Sequence, residues 1–344
     1  MEEMFYLHSP ANDSSMPEKL YIEPTSKCNF KCRICFRNNW INTAPMHMSM
    51  QTFDSILRSI EEMQTLNEVF FAGMGEPLFN PDTIGMLKSV PSRFKKSLLT
   101  NASLLNADMS RSLLNAGLDE LWVSMDGFDE SVYSSIQNGG SFEAIRNNLR
   151  EFDKLRTHTT LNLTFVITRD NLSELDKINS FADEIHADML NISHAIPAAP
   201  VKKEDTLYER RDIPVGKMPR FEFKDTVFNE NLCPFISQNA LFIRSDGEVV
   251  PCMQLLHDTK TYLYEEERTI TSFGYGNVSE LSIKDIWNGK KYREFRHRVN
   301  TFYFPFCTVC WGCEDRKRNL SDCFTGEAPT CGACLWATGR IRCP

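Results

Sequence analysis

The sequence predicts an α/β fold of six βα units followed by a cysteine-rich C-terminal region. From residue 19 to residue 195, short β-rich runs alternate with longer runs of helical periodicity, a pattern typical of a parallel sheet with helical crossovers. The cysteines are clustered, with three near the start of the chain and nine in its last third. Six units are fewer than the eight of a closed barrel, so a partial barrel and an open doubly wound sheet both fit.

The first half of the chain contains the elements of these units. Strands are predicted at residues 19–23, 68–72, 95–100, 120–125, 160–168 and 188–194. Helices are predicted between them at residues 50–66, 82–90, 108–116, 141–155 and 171–185. Ser49 is a helix-start signal ahead of the first helix, and Gly117 is a stop signal after the third. In either arrangement of the strands, we expect the chemistry at their C-terminal ends.

The pattern changes in the second half of the chain. Residues 196–232 contain prolines and mixed charge without periodicity, which predicts a linker. Residues 241–244 and 248–250 flank an Asp-Gly turn and predict a hairpin, and residues 282–299 predict one or two helices. We therefore divide the chain into an N-terminal extension (1–18), a barrel (19–195), a linker (196–232) and a cysteine-rich domain (233–344). The segment 307–344 is loop-like, so it needs metal to hold its shape.

Composition excludes several classes of protein. The 344 residues are 42% hydrophobic and 24% charged, which is typical of a globular chain. A net charge of −8 without long basic runs argues against a nucleic-acid partner. No apolar run is long enough to span a membrane, and the acidic N-terminus does not match a signal peptide. We therefore expect a cytoplasmic protein whose 12 cysteines bind metal instead of forming disulfides.

Three cysteines form a CxxxCxxC pattern directly after the first predicted strand. Cys28, Cys32 and Cys35 can bind three irons of a cubane 4Fe–4S cluster and leave the fourth iron without a protein ligand. An open coordination position is what substrate chemistry at a metal requires. The spacing alone also allows a zinc site or unrelated buried cysteines.

This segment, IEPTSKCNFKCRICFRNNW, resembles the radical S-adenosylmethionine (radical SAM) superfamily, including the aromatic Phe36 after the last cysteine. The resemblance implies a partial (β/α)6 TIM-like barrel. It also implies that the open iron chelates S-adenosyl-L-methionine, whose reductive cleavage gives a 5′-deoxyadenosyl radical that abstracts a hydrogen atom from a substrate.

Further segments at strand ends match the superfamily. Gly73, Met74, Gly75 and Glu76, followed by Pro77, resemble the segment that binds the amino group of the cofactor, although Met74 stands where a glycine is usual. Asn101 lies in a TNA turn after the third strand, and Ser124 and Asp126 lie in an SMDG segment after the fourth. By resemblance, all of these are cofactor-binding residues. Gln137 lies in a segment where relatives often have an arginine.

The C-terminal cysteines resemble the SPASM extension of radical SAM maturases, which implies one or two auxiliary 4Fe–4S clusters. The predicted metal ligands of this extension are Cys233, Cys252, Cys307, Cys310, Cys313, Cys323, Cys331, Cys334 and Cys343. Two clusters need at most eight of these nine thiols, and the spacing does not assign them to individual clusters. Zinc bound by CxxC pairs is the alternative for the tail.

Several functions are compatible with this architecture. A peptide- or protein-modifying radical SAM enzyme is one alternative. Sulfatase maturases have an aspartate where this chain has Met253. Many ribosomal-peptide cyclases have a recognition domain ahead of the first strand, where this chain has the extension 1–18. The segments LYIEPTSKCN and CFRNNW near the start and DCFTGEAPTCGACLWATGRIRCP at the end show the nearest resemblance. It is to maturases associated with tungsten-cofactor oxidoreductases of the aldehyde ferredoxin oxidoreductase type. It implies an electron donor such as ferredoxin or flavodoxin, and a protein, peptide or cofactor as substrate. The alternative of another class is a non-enzymatic iron–sulfur electron carrier or zinc scaffold.

Overall fold

A computed structural model describes residues 16–209, 216–219 and 233–341. Most of the predicted N-terminal extension, much of the predicted linker and Cys343 therefore lie outside the described residues. Among the helices that the structure describes, none has the length and apolar character needed to cross a membrane.

Nine strands form the main sheet, in the order β7-β6-β5-β4-β3-β2-β1-β8-β9. They are β1 (Lys19–Ile22), β2 (Glu68–Phe71), β3 (Lys95–Thr100), β4 (Glu120–Ser124), β5 (Thr160–Ile167), β6 (Met189–His194), β7 (Gly216–Pro219), β8 (Ala240–Ile243) and β9 (Val249–Val250). Strands β1 to β6 are parallel and adjacent in chain order, and β8 pairs parallel with β1. The six predicted βα strands are therefore confirmed, with ends that differ by at most one residue.

Helices follow the strands at the predicted places, but the first ends at residue 60 and not 66, and the fifth begins at residue 175 and not 171. Two short helices, at residues 130–136 and 234–237, are additional. They are α1 (Met50–Ile60), α2 (Thr83–Ser89), α3 (Ala107–Asn115), α4 (Glu130–Ile136), α5 (Phe142–Leu155), α6 (Leu175–Glu184), α7 (Pro234–Ser237), α8 (Ile283–Asn288) and α9 (Lys290–Asn300). The side chain of Ser49 accepts a hydrogen bond from Thr52 N at the start of α1, and Gly117 has a φ of 76° after α3. Both signals are confirmed. Helix α4 has only seven residues and was not predicted.

Side chains from β1 to β6 and from β8 line one cavity of about 200 Å³, which shows that the sheet is curved. The fold is thus the partial barrel and not the open sheet. Below the cavity, a polar network closes the amino-terminal end of the barrel. Glu68 pairs with Lys19 at 3.0 Å and accepts a hydrogen bond from Ser97 at 2.7 Å, while Glu120 pairs with Lys95 at 2.6 Å.

The C-terminal region is joined to the barrel through the main sheet. The predicted hairpin is present, but its first strand, β8, pairs along its whole length with β1. A second hairpin forms from β10 (Thr259–Leu263) and β11 (Glu266–Ile270), and α8 and α9 occupy the predicted helical segment 282–299. The expected linker contributes β7, which pairs antiparallel with β6. This pairing is non-local, so the local sequence did not predict it.

Candidate active site and cysteine centres

The three N-terminal cysteines lie on a loop at the mouth of the barrel, directly after β1. Their side chains are half-buried and free of disulfides. The loop is attached to the end of α4, because Lys31 N and Arg33 N donate to the carbonyl oxygens of Asn138 and Ile136, each at 2.8 Å. The loop therefore presents its thiols without being part of the sheet.

Burial raises the pKa of all three thiols, Cys28, Cys32 and Cys35. Binding to iron must therefore displace a proton from each of them. Three half-buried thiols on one loop, with a cavity beneath, fit a cluster that keeps one iron free of protein ligands. Their role as ligands stays a prediction.

The Gly73–Glu76 segment packs directly against this cysteine loop. A Cβ atom on Gly75 would lie 2.2 Å from the carbonyl oxygen of Thr25 and 2.4 Å from that of Lys27. Glu76 N donates to Lys27 O at 2.9 Å. Only glycine allows the two backbones to approach this closely, so the position of the cysteine loop depends on Gly75.

Glu76 is a buried carboxylate that joins two strand-end loops. It accepts hydrogen bonds from Thr100 Oγ1 and Asn101 N at 2.7 Å each, and from Leu78 N at 3.0 Å. Burial raises the pKa of Glu76 to about 7, although these hydrogen bonds oppose the shift. Much of the hydrogen-bonding capacity of the Glu76 carboxylate is thus taken up by groups of the protein itself. Glu76 fixes the relative positions of the loops after β2 and β3, whether or not it also binds an amino group.

Other predicted cofactor-binding residues meet at the same mouth. Asn101 Nδ2 lies 3.9 Å from Cys28 Sγ and 3.1 Å from Asn29 Oδ1. Asp126 is buried, and its carboxylate accepts a hydrogen bond from Val166 N at 2.9 Å. Burial raises the pKa of Asp126 to about 7. Gln137 bridges the end of β4, because it donates to Ser124 O at 3.0 Å and accepts from Asp126 N at 2.9 Å.

A buried Glu–His pair lies behind the cysteine loop, and sequence reasoning missed it. Glu23 is fully buried at the end of β1, and both of its carboxylate oxygens contact His257 Nε2, at 3.0 and 3.1 Å. Burial alone would raise the pKa of Glu23, but hydrogen bonds from His257, Met74 N and Ser245 hold it below its ordinary value. A carboxylate directly after an apolar strand was the available signal.

This pair connects the mouth to the C-terminal region. The ring of His257 lies 4.3 Å from that of Trp40, at the end of the cysteine loop. Beside it, Ile41 N donates to Asp258 O at 2.9 Å. The C-terminal region therefore supports the cysteine loop from behind.

The cavity below the mouth is lined mainly by apolar side chains, several of them aromatic. Tyr21 stacks between Phe70 and Phe242, with ring centroids 5.2 and 4.3 Å away. Polar groups from Lys19, Thr164 and Asn191 also line the cavity, as do Trp122, Phe235 and Met253. Asn191, on β6, thus lines the cavity. His194 occupies the opposite face of β6 from Asn191, by the alternation of strand side chains.

The C-terminal cysteines gather into two groups. The first quartet lines one cavity and consists of Cys233, Cys252, Cys331 and Cys334. The second quartet consists of Cys307, Cys310, Cys313 and Cys323. Burial raises the pKa of Cys307 to about 11, and the other three thiols lie close enough to add to this shift. The structure thus divides eight of the nine thiols into two groups, and their role as cluster ligands stays a prediction. The ninth cysteine, Cys343, lies outside the described residues.

The first quartet has the chemistry of an iron–sulfur site. Its thiols are half-buried or buried and form no disulfide. Trp336 lines the same cavity, and its indole Nε1 is buried without a hydrogen-bond partner in the described part of the chain. An orphaned donor on a residue of this cavity fits a group that accepts hydrogen bonds, such as a sulfide or a thiolate. Across the described ranges, no three His, Cys, Asp or Glu side chains are arranged to hold a single metal ion.

Two family models match the chain. The radical SAM superfamily model matches residues 22–182, and an iron–sulfur cluster-binding domain, SPASM, matches residues 233–314. The first match contains the mouth and its cysteine loop. The second contains both cysteines of the first quartet that precede residue 300 and three members of the second quartet.

The chain is also similar to proteins with assigned functions. The tungsten-containing aldehyde ferredoxin oxidoreductase cofactor-modifying protein of Pyrococcus furiosus is 30% identical to it, over 94% of this chain and 96% of that protein. The PqqA peptide cyclase of Gluconobacter oxydans is 22% identical, over 90% of this chain and 86% of that protein. Streptococcus suis SuiB bound to S-adenosylmethionine has the same fold, with a TM-score of 0.59 at 17% identity over 86% of this chain and 71% of SuiB.

Proposed function

Because this chain belongs to the radical SAM superfamily and has a SPASM iron–sulfur domain, we propose that it is a maturase that modifies the cofactor of a tungsten-containing aldehyde ferredoxin oxidoreductase. The chain is a radical SAM/SPASM enzyme, and the substrate is the part that we propose. The observation that carries the proposal is the similarity to the Pyrococcus furiosus cofactor-modifying protein, which extends over nearly the full length of both chains.

The cofactors follow from the family. A 4Fe–4S cluster with an open iron site and S-adenosyl-L-methionine together supply a 5′-deoxyadenosyl radical, and the SPASM domain adds auxiliary iron–sulfur clusters. Cys28, Cys32 and Cys35 would hold the first cluster, and the two quartets would hold the auxiliary ones. The enzyme also needs an electron donor, for which a ferredoxin or a flavodoxin is our proposal.

The other residues at the mouth position these groups. Gly75 allows the loop after β2 to pack against the cysteine loop, and Gly73 allows it to approach the Glu23 side chain. Glu76 ties the same loop to the turn that contains Asn101. Gln137 and Asp126 fix the backbone at the ends of β4 and β5. These contacts hold the strand-end loops in fixed relative positions around the proposed cofactor site.

The cavity beneath the mouth is our proposed site for the reacting part of the substrate. A volume of about 200 Å³ admits one small group, since pockets for whole drug-sized ligands measure about 300–1,000 Å³. Its aromatic walls exclude water from a reactive intermediate, and Lys19 and Asn191 offer polar contacts. Met253 lines this cavity, where the sulfatase maturases that the chain resembles have an aspartate base. A thioether cannot take up a proton at that position, which disfavours the sulfatase-maturase reaction.

The proposal is tested by following hydrogen from the candidate substrate. The oxidoreductase is purified from a strain that lacks the gene for this chain and is grown in deuterated medium. It is then incubated without oxygen with the reconstituted enzyme, S-adenosylmethionine and dithionite. We expect deuterium in 5′-deoxyadenosine and a change in the mass of the extracted tungsten cofactor. The variant with Cys28, Cys32 and Cys35 replaced by Ala is the control and should give neither.

A peptide substrate is the second candidate, because the PqqA peptide cyclase aligns with 90% of this chain. In that case, deuterium should reach 5′-deoxyadenosine from a deuterated fraction of short cellular peptides and not from the oxidoreductase. Transfer from the peptide fraction alone would contradict the tungsten-cofactor proposal while leaving the radical SAM assignment intact.

A further inference from the structure

The two quartets lie side by side. A Cβ atom on Gly332, which lies between Cys331 and Cys334 of the first quartet, would be 3.1 Å from Cys307 Sγ of the second. Cys307 N also donates to Gly332 O at 3.0 Å. A single backbone segment therefore separates the two groups of thiols.

One buried arginine lies at this junction. Arg268, on β11, is 4% exposed and lines the cavity of the first quartet. Its Nη1 donates to the carbonyl oxygen of Ala333, next to Cys334, at 2.8 Å. Its Nε donates at 2.7 Å to the carbonyl oxygen of Arg316, a residue in the segment between Cys313 and Cys323. Arg268 thus contacts the backbone of both cysteine segments.

The charge of Arg268 has no carboxylate partner. Within the ranges that the structure describes, no carboxylate oxygen lies within 4.0 Å of its guanidinium, and its hydrogen bonds go to two neutral carbonyl groups. The neighbouring Arg316 differs in this respect, since it pairs with Glu266 at 2.5 Å. An unpaired buried charge is strongly unfavourable, and Glu266, a carboxylate that acts on Arg268 from beyond 4.0 Å, is already paired with Arg316. The site therefore favours a further negative charge.

Anionic groups held by the two quartets would supply it. Burial lowers the pKa of Arg268, whereas negative charge on Cys334, Cys307 and Glu266 opposes that shift. A cluster bound by four thiolates is an anion, and each added electron makes it more negative. A positive charge shared by two such clusters stabilises the reduced form of both.

We propose that Arg268 is a positioning residue that raises the reduction potential of both auxiliary clusters. The inference rests on the auxiliary clusters named in the proposed function, but not on the tungsten cofactor as substrate. It assigns to one side chain the task of keeping two neighbouring clusters reducible by the same donor.

The test is a redox titration with dithionite, followed by electron paramagnetic resonance, of the full-length chain in which Cys28, Cys32 and Cys35 are Ala. Only the C-terminal clusters then contribute to the spectrum. Arg268→Met should shift the reduction equilibrium of both clusters at least tenfold toward the oxidised form, which is about 59 mV for a one-electron couple. Arg268→Lys, which keeps the charge, should shift it less.

The matched control is Arg296→Met. Arg296 is another fully buried arginine of the same region, but it stacks on Trp287 at 3.8 Å and donates to the Trp287 carbonyl group at 2.7 Å. Its removal should leave both potentials unchanged. Equal shifts for Arg268→Met and Arg268→Lys would overturn the proposal, because the charge would then be irrelevant, and so would unchanged potentials in an Arg268→Met protein with full iron content.

Loss of auxiliary iron from the Arg268 variants also tests the proposal. If Arg268→Met loses auxiliary iron while Arg268→Lys retains it, the requirement for positive charge is supported. If both variants lose it, the shape of the side chain is what matters, and the proposal fails. A parent protein that binds no auxiliary iron at all would instead refute the cofactor set of the proposed function.

Discussion

The mouth and the first C-terminal quartet are both cysteine centres, but they differ in the number and origin of their thiols. The mouth has three half-buried thiols from one loop of eight residues. The quartet has four thiols from two distant parts of the chain, arranged around an enclosed cavity. Three thiols leave a coordination position open for chemistry, whereas four close the site. The difference predicts that changes at the mouth affect cofactor cleavage far more than changes at the quartet.

Removal of the mouth thiols should have the largest effect. Replacing Cys28, Cys32 and Cys35 by Ala should abolish formation of 5′-deoxyadenosine, because nothing remains to bind the first cluster. The iron content should fall by about four irons per chain, while the two quartets keep their iron. Product analysis after anaerobic incubation with dithionite and S-adenosylmethionine tests this, and a variant that still forms 5′-deoxyadenosine would refute the assignment of the mouth.

The next largest effect should come from Gly75→Ala. The new methyl group would lie 2.2 Å from Thr25 O, so the cysteine loop must move, and a displacement of this kind costs on the order of 10²-fold in rate. This loss is measured as the rate of 5′-deoxyadenosine formation in Gly75→Ala relative to the wild type.

The matched control for this variant is Gly85→Ala. Gly85 lies in α2, where a Cβ atom would meet nothing within 4 Å. Its replacement should leave the rate unchanged and stabilise the protein by roughly 0.5–1 kcal/mol, through the higher helix propensity of alanine. Equal rates for the two variants would show that the close approach at Gly75 is not needed.

Glu23→Gln should have a smaller effect, because it alters the support behind the loop and leaves the thiols intact. We expect a loss of about 1–3 kcal/mol in the free energy of unfolding, as for a buried hydrogen-bonded group left partly unpaired. The pKa of Glu23 is lowered in the folded protein, so its contribution is present above the unfolded value of about 4.3 and is lost as the pH falls further. The difference in the free energy of unfolding between Glu23→Gln and the wild type should therefore shrink as the pH falls below that value.

Denaturant titrations at neutral pH and at pH 3 measure this difference, with the exposed Glu62→Gln as control. A gap that widens toward acid would contradict the direction of the shift. A gap of similar size in the Glu62→Gln protein would show that burial beside His257 is unimportant.

Cleavage of the cofactor should change least in Cys252→Ala. This variant should lose about four irons per chain and with them the modification of the substrate, yet form 5′-deoxyadenosine within about threefold of the wild-type rate, since three irons of the first cluster keep their thiolates. Iron analysis and product formation are measured on the same sample. A variant as inactive as the mouth variant would remove the distinction between the two regions.

The same contrast explains what the sequence could predict. The mouth follows a local pattern, because CxxxCxxC and the loops at strand ends are each contiguous, so the fold and this site were visible in the residues themselves. The quartets were not, since Cys252 and Cys331 meet only in the folded chain. The Glu23–His257 contact likewise joins residues 234 positions apart. Pairing of β7 with β6 and of β8 with β1 is equally non-local.

The central claim is that one iron at the mouth is open to S-adenosylmethionine while the quartets are closed. Electron paramagnetic resonance of the reduced protein, recorded with and without S-adenosylmethionine, tests it most directly. We predict that the cofactor changes the spectrum of the wild-type protein and leaves that of the Cys28, Cys32 and Cys35 variant unaltered. A wild-type spectrum that the cofactor does not change, in protein with full iron content, would contradict the account.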